Sequence, residues 1–328
     1  MHYLYNSEFD CSALFARDVK TLTTREIIVA AKNVVITGAN AGIGYQASLY
    51  FARAGAKVVM ACRNQQKAEK AQSQILAEVP DAQTIILPLD VSDLASVDEF
   101  ARQFAEQVGE LDILINNAGI VAIPFSRNKD GHELQLATNY LGAFALTGKL
   151  LPYFSKNTDA RIVNVGSLAH RFGKLNVANV NWEQEEYGQW KAYANSKVAT
   201  LSFTLELNRR LQQASSNIIA LAAHPGFANT DIQKNSPTLS KRHGKDSWLK
   251  KKLENMVPTA ANAARPIILA ACDENVSGGD YYGPGGFLEI GGKPAKARIN
   301  PIAKNVGLGK QLWAASASLT GVSYLSDV

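Results

Sequence analysis

Tyr193 and Lys197 stand four residues apart in Trp190-Lys191-Ala192-Tyr193-Ala194-Asn195-Ser196-Lys197, a stretch that continues as a helical pattern to Leu211. Residues at this spacing share a helix face, so a phenol and an ammonium group are presented side by side. An isolated phenol titrates near pH 10, and its use as a base near neutrality needs a shift of about three units, or roughly 4 kcal/mol. Positive charge in a partly dehydrated cleft favours that shift. The pair therefore suits proton exchange with a bound oxygen atom. The same spacing occurs on many surface helices, so the pair gains weight only from further groups around it.

One such group is a glycine-rich turn, Thr37-Gly38-Ala39-Asn40-Ala41-Gly42-Ile43-Gly44. It follows a buried apolar run at 33–37 and precedes a helical pattern at 45–54 that stops at Gly55. In a strand-turn-helix context, glycines let the chain turn sharply and let backbone approach a pyrophosphate, whose charge meets the N–H groups at the helix start.

The elements that must position these groups follow one grammar. Short apolar runs at 33–37, 57–61, 84–89, 112–116, 161–165 and 218–223 alternate with stretches of helical period. This pattern predicts an α/β fold, a Rossmann-type doubly wound parallel sheet of about seven strands with helices on both faces. No linker splits it, so we expect one catalytic domain over 32–328, preceded by an extension, 1–31, of unassigned role. A polar, basic stretch at 229–257 follows the strand that ends near His224, where added chain covers ligands in this architecture. Its Leu249, Leu253 and Met256 recur at helical spacing opposite Lys250, Lys251 and Lys252. That predicts a helical substrate lid with a solvated basic face; weak peripheral membrane contact is the alternative.

Bulk properties limit the partners. The chain has 328 residues, 46% hydrophobic and 19% charged, with a formal net charge of +5 spread along its length. This is an ordinary globular composition, and no basic face for nucleic acid is evident. Cys11, Cys62 and Cys272 lack metal-ligand spacing and suggest neither a zinc site nor a disulfide framework. No secretory pattern or run of roughly 20 apolar residues is seen, so the expected location is cytoplasmic. Homo-oligomer formation stays open.

The spacing Gly38-x-x-x-Gly42-x-Gly44 after Thr37 resembles the glycine signature of the short-chain dehydrogenase/reductase family, and further motifs follow in that family's order. Asp90 matches its acidic residue beside the adenine. Asn116-Asn117-Ala118-Gly119 matches its Asn-Asn-Ala-Gly motif, and Pro225-Gly226 with Thr230 its element beside the nicotinamide carboxamide. Ser167, at the end of Arg161-Ile162-Val163-Asn164-Val165-Gly166-Ser167, and Asn139 complete its tetrad with Tyr193 and Lys197. The resemblance implies that Ser167 positions the reacting oxygen and that Tyr193 is general acid in reduction and base in oxidation. Lys197, together with an oxidised nicotinamide ring, would tune Tyr193, while Asn139 would anchor a relay water. Gly38, Asn40, Gly42, Ile43, Gly44, Arg63, Asp90, Val91, Asn117, Ala118, Gly119, Tyr193, Lys197, Pro225, Gly226 and Thr230 would contact the cofactor. His170 and His224 read as hydrogen-bonded structural residues.

The end of the second strand bears on cofactor choice. An acid there would bind the ribose hydroxyls and repel a 2′-phosphate. Cys62 occupies that position and Arg63 follows it, so NADP(H) is expected, with the Arg63 guanidinium pairing to phosphate.

Three stretches, 162–170, 281–286 and 312–322, look like the family's retinol dehydrogenase-like branch, which also includes relatives of protochlorophyllide reductase and the WW-domain oxidoreductase. The expected substrate is a hydrophobic small molecule, a bulky and mainly apolar aldehyde, ketone or alcohol. A membrane-delivered retinoid is not expected without an anchor. The competing readings are a non-catalytic dinucleotide sensor or scaffold and an enoyl-type reductase.

Overall fold

The computed structural model of the protein describes residues 29–156, 159–183, 186–226 and 259–326. The expected lid at 229–257, Thr230 and residues 1–28 of the expected extension lie outside the described residues. Val29 is already part of the packed core.

Eight strands form one sheet: β1 (Asn33–Thr37), β2 (Lys57–Cys62), β3 (Thr84–Pro88), β4 (Ile113–Asn116), β5 (Ala160–Val165), β6 (Ile218–Ala223), β7 (Tyr281–Pro284) and β8 (Pro294–Lys296). Their order is β3-β2-β1-β4-β5-β6-β7-β8. The first seven pair in parallel, whereas β8 runs antiparallel to β7, with Tyr282 opposite Lys296. The eighth strand departs from an all-parallel sheet for a local reason. Gly285 and Gly286 bond across a turn to Lys293 and Gly291, reversing the chain, and Pro294 is tolerated because the strand is at an edge.

Strand periodicity divides the core. In β1, Val35 faces one side of the sheet and Val34 and Ile36 the other; in β4, Leu114 faces the first and Ile113 and Ile115 the second. The first face is covered by α3 (Leu94–Gln107), α4 (Gly142–Leu150) and α5 (Gln189–Gln213), through Phe100, Phe144 and Phe203. The second is covered by α1 (Gly42–Arg53), α2 (Gln65–Glu78) and α6 (Ala260–Cys272), through Phe51, Ile75 and Ile267. A last helix, α7 (Val306–Thr320), adds Leu312 and Trp313 to the first face. No helix among the described residues is long and apolar enough to cross a membrane.

The strand order reverses between β1 and β4, and the chain leaves both at their carboxyl ends. Such a switch point opens a crevice in which ligands bind. The glycine turn closes over it by close packing. A Cβ on Gly44 would lie 2.3 Å from the Gly38 carbonyl oxygen and 2.6 Å from Asn117 Nδ2. Gly44→Ala therefore displaces α1 from the turn, and overpacking of this kind costs about 3 kcal/mol. Denaturant unfolding would show that loss, and binding of the dinucleotide expected from the sequence should weaken with it. A variant with wild-type stability and binding would contradict the packing argument.

Candidate active site

The crevice holds two joined cavities. The first, of about 260 Å³, lies over the glycine turn. The second, of about 530 Å³, lies over the ends of β5 and β6. They share Ile43, Asn117, Gly119 and Ile120.

In the first cavity, Gly38 (φ 66°) and Gly42 (φ 53°) adopt left-handed backbone conformations that favour glycine. Helix α1 starts there with no side-chain cap and no acid in its first turn. By contrast, Asn64 caps α2 through the Lys67 amide and Asp93 caps α3 through the Ala95 amide. The α1 amides thus face the cavity with their partial positive charge uncompensated by side chains, as an anion site requires. Thr37 fixes the opposite edge, its Oγ1 accepting the Asn117 and Ala118 amides at 2.9 Å, while Asn117 Nδ2 donates to the Thr37 carbonyl at 2.8 Å. Asn116 faces the core and donates to Asn164 Oδ1.

Gly38, Asn40, Gly42, Ile43, Arg63, Asp90, Val91, Asn117, Ala118 and Gly119 all line this cavity. Gly44 packs behind it. Cys62 is buried, with its thiol pushed up to about 11 by burial, so it contributes no charge. Asp90 accepts the Ser92 amide and hydroxyl and stands 3.6 Å from the Arg63 guanidinium, which is 74% exposed. Sequence reading missed Lys67, which lines the same end. The available signal was its position in the first turn of the helix after β2. The bare glycine edge, the open α1 amides and the cations at one end fit a dinucleotide phosphate.

In the second cavity the structure brings Ser167, Tyr193, Lys197, Pro225 and Gly226 together. Ser167 ends the extended run after β5, its Oγ accepting the Ala169 amide, and its hydroxyl hydrogen-bonds Tyr193. The helical spacing in α5 places Lys197 Nζ 6.0 Å from the Tyr193 ring centre, where it donates to the Val165 carbonyl at 2.8 Å. The expected depression of the Tyr193 pKa is not what the protein alone produces. Burial raises it, opposed by the Ser167 hydrogen bond, and burial lowers Lys197 to about 8. Both shifts have one cause: a low-dielectric cleft disfavours the charged form of each group. Tyr193 is thus held as a neutral phenol, the form that can donate a proton.

Asn139 lies behind the cavity wall in a π turn (Ala137–Leu141) that leads into α4. Its side chain accepts the Ile120 amide at 2.8 Å and donates to the Ile120 carbonyl and to Ser196 Oγ, each at 3.0 Å. It therefore pins the shared wall residue Ile120. A Cβ on Gly119 would lie 3.1 Å from Asn139 Oδ1 and 3.7 Å from Lys197 Nζ, so the bare glycine leaves room for all three.

A second positioning network escaped sequence reading. Buried Gln135 accepts the Ala122 amide at 2.7 Å and donates to Tyr187 Oη at 2.7 Å, and Tyr187 donates to Glu133 Oε1. Ala122 sits at φ 47°, so this network holds a left-handed non-glycine residue beside the wall residues Ile120 and Val121. Its members are joined only by folding, and no local motif announces them.

Both histidines below the site are in fixed hydrogen bonds. The His170 ring nitrogens face the Ser167 and Arg298 carbonyls. His224 Nδ1 accepts the Gly226 amide, so Nε2 carries the proton and donates to Glu289 at 3.1 Å. Burial lowers His224 to about 3, so the Glu289 contact is a hydrogen bond from a neutral imidazole. A folded pKa below the unfolded value of about 6.5 gives stability that is full above that pH and lost as pH falls towards 3. The loss from His224 reaches about 2 kcal/mol at pH 5. Unfolding curves at pH 7 and pH 5 should show a smaller difference for His224→Asn than for wild type; an equal difference would contradict this assignment.

Comparison with known proteins agrees with the geometry. The family model described as short chain dehydrogenase matches residues 32–240. The chain is 36% identical over 301 residues to retinol dehydrogenase 13 of Homo sapiens, covering 90% of this chain and 86% of that protein. It is 41% identical over 213 residues to retinol dehydrogenase 12 of Mus musculus, covering 65% and 66% respectively. A crystal structure of a protein from Mycobacterium Paratuberculosis superposes with a TM-score of 0.74 at 36% identity, covering 92% of this chain and 98% of that one. A short chain dehydrogenase from Escherichia coli CFT073, solved with NADPH, shares the fold at a TM-score of 0.60 and 22% identity over 78% of this chain and 97% of that one. With the glycine turn, the Asn-Asn-Ala-Gly edge and the Ser–Tyr–Lys cluster in place, the chain belongs to the short chain dehydrogenase family, in its retinol dehydrogenase-like branch.

Proposed function

We propose that the protein is an NADP(H)-dependent oxidoreductase that interconverts a carbonyl and an alcohol on a bulky, mainly apolar substrate, with Tyr193 exchanging the proton. The observation that carries this reading is the placement of Ser167, Tyr193 and Lys197 on the wall of a cavity that opens directly into the glycine-turn cavity. The bound nicotinamide supplies or accepts the hydride. Ser167 and Tyr193 orient the reacting oxygen, and the buried, protonated phenol donates to it during reduction. Lys197 holds positive charge beside the phenol. Asn139 fixes Ile120 through both ends of its side-chain amide, and the family resemblance assigns it the relay water. Pro225 and Gly226 line the same cavity, and the family resemblance assigns them, with Thr230, to the nicotinamide carboxamide. Arg63 and Lys67 support a 2′-phosphate at the other end, and Leu168, Phe172, Trp190, Leu288 and Ile290 give the substrate cavity its apolar wall. NADPH consumption with a panel of aldehydes and ketones tests the reading. Bulky apolar carbonyls should turn over well above small polar ones. Saturable NADPH binding without turnover of any of them would favour a sensor.

A further inference from the structure

Besides the buried Lys197, the described wall of the substrate cavity carries one exposed ionic side chain, which its apolar character does not require. Arg171 follows Ser167 in the helical turn Leu168–Phe172, and its side chain, 31% exposed, lines the cavity. An uncompensated guanidinium there would draw in a carboxylate through charge-assisted hydrogen bonds. It is compensated from a distant part of the chain: Glu289 Oε2 meets Arg171 Nη2 at 2.6 Å. The same oxygen accepts the proton of His224 Nε2 at 3.1 Å, and Glu289 Oε1 accepts the Arg298 amide at 3.4 Å. The His170 and His224 rings pack on Tyr281, and both His170 and Tyr281 lie within reach of the Arg171 and Glu289 charges.

The backbone that delivers Glu289 is strained. Leu288 (φ 54°) and Glu289 (φ 60°) are successive non-glycine residues in the left-handed region, each at a cost of about 1–2 kcal/mol. The turn is held by the Gly285–Lys293 and Gly286–Gly291 backbone bonds and by close approach at Gly226, where a Cβ would lie 2.3 Å from the Ile290 carbonyl oxygen. The strain thus places the carboxylate on Arg171 while the flanking Leu288 and Ile290 line the cavity.

We infer that Glu289 sets the charge selectivity of the substrate cavity: by neutralising Arg171 at the wall, it confines the site to neutral apolar compounds and excludes those with a carboxylate. This rests on the carbonyl–alcohol reading above. The test compares azelaic semialdehyde with its methyl ester as substrates with NADPH, scored as the acid-to-ester ratio of kcat/KM. Glu289→Gln should raise that ratio about tenfold. Arg171→Gln, which leaves Glu289 uncompensated, should lower it, and the double variant should return it to near the wild-type value. An unchanged ratio in Glu289→Gln, or a shift in the same direction in both single variants, overturns the inference. Charge selection acts on binding, so the same comparison is read from the Kd of nonanoate against nonanol in the NADP-loaded protein. Absence of turnover of the ester by wild type therefore counts against the carbonyl reading alone, while the binding ratio still decides the role of Glu289.

Discussion

Tyr193→Phe should lower kcat for carbonyl reduction by about 10²- to 10⁴-fold while leaving NADPH affinity near its wild-type value. The substitution removes one hydroxyl from a residue that is 8% exposed and keeps the ring that packs in the cavity. The lost hydrogen bond to Ser167 is worth about 1 kcal/mol of stability, too little to unfold the domain. The effect on rate is larger because burial holds the phenol protonated beside Lys197, and in the proposed reaction that proton reaches the substrate oxygen as the hydride arrives. Steady-state kinetics and NADPH titration separate the two effects. Turnover within threefold of wild type would mean that another group delivers the proton.

The second large effect concerns the other end of the crevice. Arg63→Ala should raise KM for NADPH about tenfold to a hundredfold with little change for NADH, and adding Lys67→Ala should deepen the loss. Both cations line the cavity end, whereas the preceding Cys62 is buried and neutral. The Arg63 contact to Asp90, at 3.6 Å and largely exposed, is loose enough for the guanidinium to turn to a phosphate. Kinetics with both cofactors check this. An equal loss for NADPH and NADH would show that the two residues shape the pocket without reading the 2′-phosphate.

Much of the site is legible in the sequence because its parts are local. Asn33–Thr37, with its apolar centre Val34-Val35-Ile36, proves to be β1, and the glycine turn follows it with the strand-turn-helix order that gives the motif its meaning. Tyr193 and Lys197 are fixed by helix geometry alone. What stayed hidden depends on contacts between residues far apart in the chain. Glu289 reaches His224 and Arg171 across 65 and 118 positions, and Gln135 reaches Tyr187 across 52. No periodicity encodes such pairings. The antiparallel β8 is three residues long with two of them exposed, too short for an alternating pattern to show. The direction of the Tyr193 shift was also not legible, since it depends on burial, and a spacing of four residues says nothing about solvent.

The proposed reaction brings the proton and the hydride together on one carbonyl, and isotope transfer tests that claim most directly. The protein is supplied with NADPH carrying deuterium at nicotinamide C4, prepared separately in each stereochemical form, and with a bulky apolar aldehyde. One of the two forms should deliver its deuterium to the carbinol carbon of the product, and Tyr193→Phe should nearly abolish that transfer. Deuterium on an alkene-derived carbon of an unsaturated aldehyde, or NADPH bound without any transfer, would contradict it.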